Sequence, residues 1–170
     1  LTSAQKTALK EILEDLGKAH PMYRLLNGDV GSGKTIVALL SACAAFDEGY
    51  TTVIMAPTTI LAQQHFASVT SLVKKSKLNI PVTLFTSGTS VKKHTIPSEA
   101  CIIIGTHALI YKSGLPSNCA LIIIDEQHRF GVVQRKKLMK MAQTKDGSSP
   151  HYLTMTATPI PRTLTMALYG

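Results

Sequence analysis

The sequence predicts a three-layer α/β domain with a mostly parallel central sheet. Three observations predict it. Short β-branched apolar runs alternate with segments of helical spacing along most of the 170 residues. Two of the runs, at 101–104 and 120–124, are apolar throughout, which fits strands buried on both faces, as in a parallel sheet. A glycine-rich stretch at 28–35 lies between a strand candidate and a helix candidate.

The elements follow in order. Residues 2–16 carry Ala4, Leu9, Ile12, Leu13 and Leu16 at helical spacing, with Thr2 or Ser3 as cap and Gly17 as stop. Residues 23–26 form a short strand leading into Gly28. Residues 35–46 read as a helix that is apolar on almost every side and therefore buried. A strand at 53–56 is ended by Pro57, an amphipathic helix covers 61–73, and a strand covers 82–85. Residues 88–95 are a polar, basic loop or short helix. The strands at 101–104 and 120–124 are followed by a basic helix at 134–142, a turn at 145–150 and a final strand at 152–156. There is no internal repeat, so residues 1–170 read as a single domain.

Composition sets the bounds. With 45% apolar and 16% charged residues the chain is globular, which excludes disordered and fibrous classes. No apolar run approaches the roughly 18 residues of a membrane span, so no membrane partner is expected. Leu1-Thr2-Ser3-Ala4-Gln5 has neither the charged nor the apolar region of a signal peptide and lacks an initiator Met, as expected of a piece of a longer protein. The three cysteines, Cys43, Cys101 and Cys119, are odd in number and have no CxxC spacing; they read as reduced thiols in a reducing compartment, the cytoplasm. The six histidines lack metal-ligand spacing, so no structural metal is expected. The net charge of +8 is concentrated after residue 50, where thirteen basic side chains face four acids. A polyanion partner accounts for that asymmetry, and so does a solvated lysine-rich surface.

Gly28-Asp29-Val30-Gly31-Ser32-Gly33-Lys34-Thr35 has the GxxxxGK[ST] spacing. Glycines let successive backbone N–H groups curl around phosphate oxygens, and the helix that follows adds a positive end. Lys34 would bridge the outer phosphates of ATP, and the Thr35 hydroxyl would ligate Mg²⁺. A plain glycine-rich turn needs neither Lys34 nor Thr35. Farther on, the apolar run at 121–124 ends in Asp125-Glu126. Adjacent acids at the end of a buried strand repel each other unless a metal sits there. Asp125 would hold Mg²⁺, directly or through water, and Glu126 would orient and deprotonate the attacking water. An N-capping Asp-Glu pair is the other reading.

Asp125-Glu126-Gln127-His128 followed by Thr156-Ala157-Thr158 resembles superfamily 2 helicases and translocases, which implies a RecA-like fold. In that family the His and the Thr-Ala-Thr hydroxyls link the nucleotide side to the nucleic-acid side, which implies coupling roles for His128, Thr156 and Thr158. The segment from Ala56-Pro57-Thr58 to His65 resembles the family's motif Ia, and Gly105-Thr106-His107-Ala108-Leu109 resembles motif Ib. Pro57, Thr58, Thr106 and His107 are thereby implied contacts to a DNA backbone, which position without reading sequence. Gln5 is similar to the adenine-reading glutamine upstream of the P-loop, or else is a plain surface-helix residue.

The stretches at 21–35, 125–132 and 156–164 resemble the RecG family of bacterial ATP-dependent DNA helicases most closely. The alternative, the transcription-repair coupling factors, usually has Glu where this chain has Gln127 and Phe where it has Ser32. Asn27 and Thr59 depart from the expected Gln and Glu, away from the chemistry. The resemblance implies an N-terminal RecA-like ATP-binding lobe, working in the bacterial cytoplasm at the nucleoid on forks and branched junctions in DNA repair and recombination. It also implies partners outside these residues, a second RecA-like lobe and a wedge domain, so the lobe alone is expected to be weakly active or inactive. A small-molecule kinase leaves the Thr-Ala-Thr and motif Ia stretches without a role; a non-catalytic ATP-binding or docking module describes the piece and not its parent. Lys74-Lys75-Ser76-Lys77 and Arg135-Lys136-Lys137 could hold phosphates or form a solvated face, and the contacts of Phe130 and Arg162 stay open.

Overall fold

The computed structural model describes residues 1–86, 97–106, 108–109, 115–126 and 149–157. The expectations for 88–95, 134–142 and most of 145–150, and those for His107, His128, Phe130, Arg162 and Thr158, fall outside these residues.

Six strands are described: β1 (Tyr23–Asn27), β2 (Thr51–Met55), β3 (Val82–Phe85), β4 (Ile102–Gly105), β5 (Cys119–Asp125) and β6 (His151–Thr156). They form one sheet in the order β1-β6-β5-β2-β4-β3. Every pairing among the described residues is parallel, in keeping with the mostly parallel sheet expected. The apolar runs explain this: β2, β4 and most of β5 are buried on both faces, where alternating polar residues would be left without water. β2 starts earlier than predicted because Thr51 and Thr52 are buried despite their hydroxyls.

Three helices are described: α1 (Ser3–Leu16), α2 (Lys34–Asp47) and α3 (Thr59–Lys75). Thr2 caps α1 in a reciprocal box with Gln5, and Gly17 follows its end. Thr58 caps α3 through the Leu61 N–H, and Lys74 and Lys75 sit in its last turn, where the helix dipole favours cations. All three helices contribute to one core against a single face of the sheet, where Val37, Ala42, Ala62 and Val69 meet Ile54, Ile102, Ile123 and Leu153. The opposite face carries a second buried cluster built on Val53, Ile103 and Ile122, closed among the described residues by Leu109 and Leu115 of the β4–β5 connection. Handedness accounts for the split. Both β1-α2-β2 and β2-α3-β3 step in the same direction across the sheet, so right-handed crossovers put α2 and α3 on one face.

Arg24 of edge strand β1 is held by Asp15 and, at 2.7 Å, by Glu11, fastening α1 to the strand that carries the glycine-rich loop. Lys18 and Arg24 beside Asp15 hold its carboxyl below the usual carboxylate range. The Arg24–Glu11 pair is exposed, so it orients α1 more than it stabilises it.

Candidate active site

Parallel strands end together, and in open α/β sheets ligands bind beyond those carboxyl ends. At that edge β6 lies between β1 and β5, with Asn27 in register with Thr156 and Asp125 in register with Met155. Two strand spacings separate Asn27 from Asp125, roughly 10 Å. The glycine-rich loop and the acidic pair thus emerge on the same edge, one strand apart. The end of β6 is bonded to both: the Gly28 N–H donates to the Thr156 carbonyl at 3.3 Å, and the Glu126 N–H to the Met155 carbonyl at 2.9 Å.

The loop is built for close approach. A β-carbon on Gly28 would sit 2.8 Å from the Ser32 Oγ, so any other residue there would push that hydroxyl aside. Gly33 stands before α2 in the left-handed region at φ 85°, and no side chain caps the helix. The first-turn N–H groups of α2 therefore have no side-chain acceptor of their own. Lys34 Nζ donates to the carbonyls of Gly28 at 2.6 Å and Asp29 at 2.9 Å, which holds the ammonium over the loop. Asp29 also accepts from the Ser32 N–H through its carbonyl, and the Val30 side chain stands in solvent. Gln5 uses both ends of its amide: Oε1 accepts from the Thr2 N–H, and Nε2 donates to the Ser32 carbonyl at 2.7 Å. It is a strut between α1 and the loop, which a plain surface-helix residue would not be.

Across β6, Glu126 adopts φ 49°, uncommon for a residue with a β-carbon, and its Oε1 accepts from the Ala157 N–H at 3.3 Å. That bond ties the acidic pair to the middle of the Thr-Ala-Thr stretch. Asp125 Oδ2 lies 2.7 Å from His65 Nε2 on α3, with both side chains mostly buried. Sequence reading gave His65 no part in this site. The signal was there: His65 follows Ala62 by three residues and precedes Val69 by four, which puts it on the inward stripe of α3. An inward histidine needs a polar partner.

The implied nucleic-acid contacts are placed unequally. Thr58 is exposed at the start of α3, beside partly buried Pro57, and its hydroxyl oxygen accepts the capping bond. Thr106 is only 2% exposed, and its hydroxyl accepts from the Ala108 N–H at 3.4 Å, so it shapes a turn inside the protein. Thr156 is buried at the end of β6.

The arrangement fits a magnesium–triphosphate. It offers backbone donors in a glycine-rich turn with no side-chain cap on the helix that follows, a lysine held over that turn, and hard oxygen donors in Thr35 and Asp125. Mg²⁺ is usually held by one or two carboxylates and the substrate's own phosphates. Among the described residues no group of three or more His, Cys, Asp or Glu side chains forms a cage that would compete with this.

Over residues 2–167 the sequence matches the DEAD/DEAH box helicase family. The chain belongs to that family. It is similar along its whole length to the ATP-dependent DNA helicase RecG of Aquifex aeolicus, at 48% identity, and spans 22% of that protein. RecG of Bacillus subtilis is 46% identical over the whole chain, which covers 25% of it. A solved structure of RecG bound to a three-way DNA junction superposes with a TM-score of 0.82 at 41% identity, covering all of this chain and 22% of that one. The helicase MrfA, at 19% identity, shares the fold with a TM-score of 0.72 over 99% of this chain and 28% of its own. This RecA-like DEAD/DEAH lobe thus bears the RecG resemblance from end to end, and none of these matches favours the coupling-factor alternative. No described helix is long and apolar enough to cross a membrane.

Proposed function

We propose that the chain is the ATP-binding motor lobe of an ATP-dependent DNA helicase or translocase that remodels branched DNA, at forks and Holliday junctions, in bacterial repair and recombination. One observation carries the reading: the end of β6 is hydrogen-bonded on one side to the start of the phosphate loop and on the other to the metal-side acids.

Each residue's task follows from its position. Backbone N–H groups of residues 28–35 receive the phosphates, and Lys34 exchanges its two carbonyl partners for phosphate oxygens. Gln5, already fixed to the loop, would read the adenine edge with its remaining amide hydrogen and lone pair. The Thr35 hydroxyl and Asp125 would hold Mg²⁺, directly or through water, and the ion would neutralise phosphate charge. Glu126 orients water and accepts its proton. When that proton arrives, the Glu126 hydrogen bond to the Ala157 N–H weakens, and Thr156 and Thr158, with His128, carry the change toward the DNA side. Pro57 and Thr58 would contact the DNA backbone, as would His107 by its motif, while buried Thr106 shapes its own turn.

The chain spans about a quarter or less of its RecG relatives, so a second RecA-like lobe and a wedge domain belong elsewhere in the parent. The resemblance puts an arginine finger in the second lobe, and such fingers contribute about 10³–10⁵ in rate in P-loop enzymes, so residues 1–170 alone would turn over ATP barely or not at all. The proposed location is the bacterial cytoplasm, at the nucleoid. The test is steady-state ATP hydrolysis by the full-length chain with and without forked DNA, with Lys34→Ala as control. Forked DNA stimulates turnover, Lys34→Ala abolishes it, and DNA affinity falls steeply with salt. Turnover indifferent to DNA, or unchanged by Lys34→Ala, overturns the reading.

A further inference from the structure

We infer that His65 is a positioning residue for the metal-side carboxylate, and that through it α3 ties the nucleic-acid edge of the lobe to the nucleotide. The inference rests on the reading of Asp125 as the metal-side acid. Its own basis is the contact between His65 Nε2 and Asp125 Oδ2, at 2.7 Å with side chains 15% and 13% exposed.

An ionised carboxylate can only accept, so Nε2 carries the proton of this bond. The bond fixes the rotation of the Asp125 carboxylate and occupies one of its oxygens. The other remains for a cation or for its bound water. Groups that hydrogen-bond a metal's ligands orient them, and their loss typically weakens metal binding or activity about 10–100-fold.

The same histidine sits on a rigid lever. α3 begins at Thr59, capped by Thr58, and His65 lies seven residues from that cap. At 1.5 Å per residue this is about 10 Å of helix, two turns whose inward residues include buried Ala62. A strand resting on Pro57 and Thr58 therefore bears on the helix that holds Asp125. Coupling of this kind is reciprocal: DNA that steadies α3 tightens Mg-nucleotide binding, and Mg-nucleotide tightens DNA by the same factor. A purely architectural bond between α3 and β5 would stabilise the fold without distinguishing a nucleotide with Mg²⁺ from one without.

The test uses the full-length chain, a fluorescent ATP analogue, and equilibrium titrations in excess Mg²⁺ or excess EDTA, each with and without single-stranded oligo-dT. In the wild type, Mg²⁺ and oligo-dT both tighten nucleotide binding. His65→Ala should lose about tenfold of the Mg²⁺-dependent gain. It should keep its affinity in EDTA within about twofold, and the oligo-dT effect should fall toward unity. His65→Gln, which restores an amide donor, should recover most of both effects. His65→Asn, polar but too short to reach, should behave as His65→Ala and serves in its place if the alanine variant does not fold. Equal losses with and without Mg²⁺, or an unchanged Mg²⁺-dependent gain, overturn the inference. If the wild type itself shows no Mg²⁺-dependent gain, the nucleotide-site reading fails, a result distinct from any variant-specific one.

Discussion

Gly33→Ala puts the geometry of the phosphate loop to a quantitative test. At this position φ is 85°, and a β-carbon would lie 2.3 Å from Gln5 Nε2. Two costs follow. Holding an alanine in the left-handed region costs roughly 1–2 kcal/mol. Displacing the Gln5 amide forfeits its bond to the Ser32 carbonyl, worth about 0.5–1.5 kcal/mol. Their sum is about 2.5 kcal/mol, against a total stability of about 5–15 kcal/mol, so the variant stays folded but with a lower urea midpoint and the same slope. The decisive measurement is a double-mutant cycle. In a Gln5→Ala background no amide remains to be displaced, and the cost of Gly33→Ala should shrink by about 1 kcal/mol. Circular dichroism during urea unfolding of the four proteins measures this. Additivity within about 0.3–0.5 kcal/mol, the behaviour of independent sites, would refute the strut between Gln5 and the loop. A loss below that range for Gly33→Ala alone would refute the requirement for positive φ.

Two further outcomes can be checked on the fold. The Met22 N–H donates to His151 Nδ1 at 3.0 Å, and burial holds the His151 imidazole below the usual histidine range, with Asp15 opposing. The unfolded chain therefore binds its proton first. The stabilisation is complete above the ordinary value near 6.5 and is lost as pH falls through the folded value. Tm should drop more between pH 7.5 and 5.5 for the wild type than for His151→Asn, and equal drops would remove His151 from the acid response. Burial also pushes the Cys119 thiol up to about 12, so the reactive thiolate is scarce near neutral pH. Cys119 should resist Ellman's reagent in the native protein and react only on unfolding; fast native labelling of the Cys119 peptide contradicts its burial.

Much of this was legible in the sequence, for identifiable reasons. Residues 120–124 predicted β5 because an unbroken apolar run has few other fates, and 28–35 predicted the cradle because its glycines, lysine and threonine are bound by local geometry. Thr51 and Thr52 escaped notice since buried hydroxyls carry no apolar signal, although β-branching suits them to a strand. Strand order was invisible, as nothing local says that β6 inserts between β1 and β5. His65 and Asp125 were each in view, but their pairing spans sixty residues and needs the sheet to bring α3 across the end of β5. Thr106 was assigned outward from its motif; its burial comes from the packing of the β4–β5 connection.

The placement of β1 has a consequence for biosynthesis. It lies at the margin of the sheet, with β6 as its neighbour, and the bond from Met22 to His151 spans 129 residues. At about 5–20 residues per second, a ribosome needs roughly 6–26 s between making the two. During that interval β1 has α1 to hold it but lacks its sheet neighbour, and the Thr156 carbonyl that receives the Gly28 N–H does not yet exist, so the glycine-rich loop is only partly anchored until β6 is made.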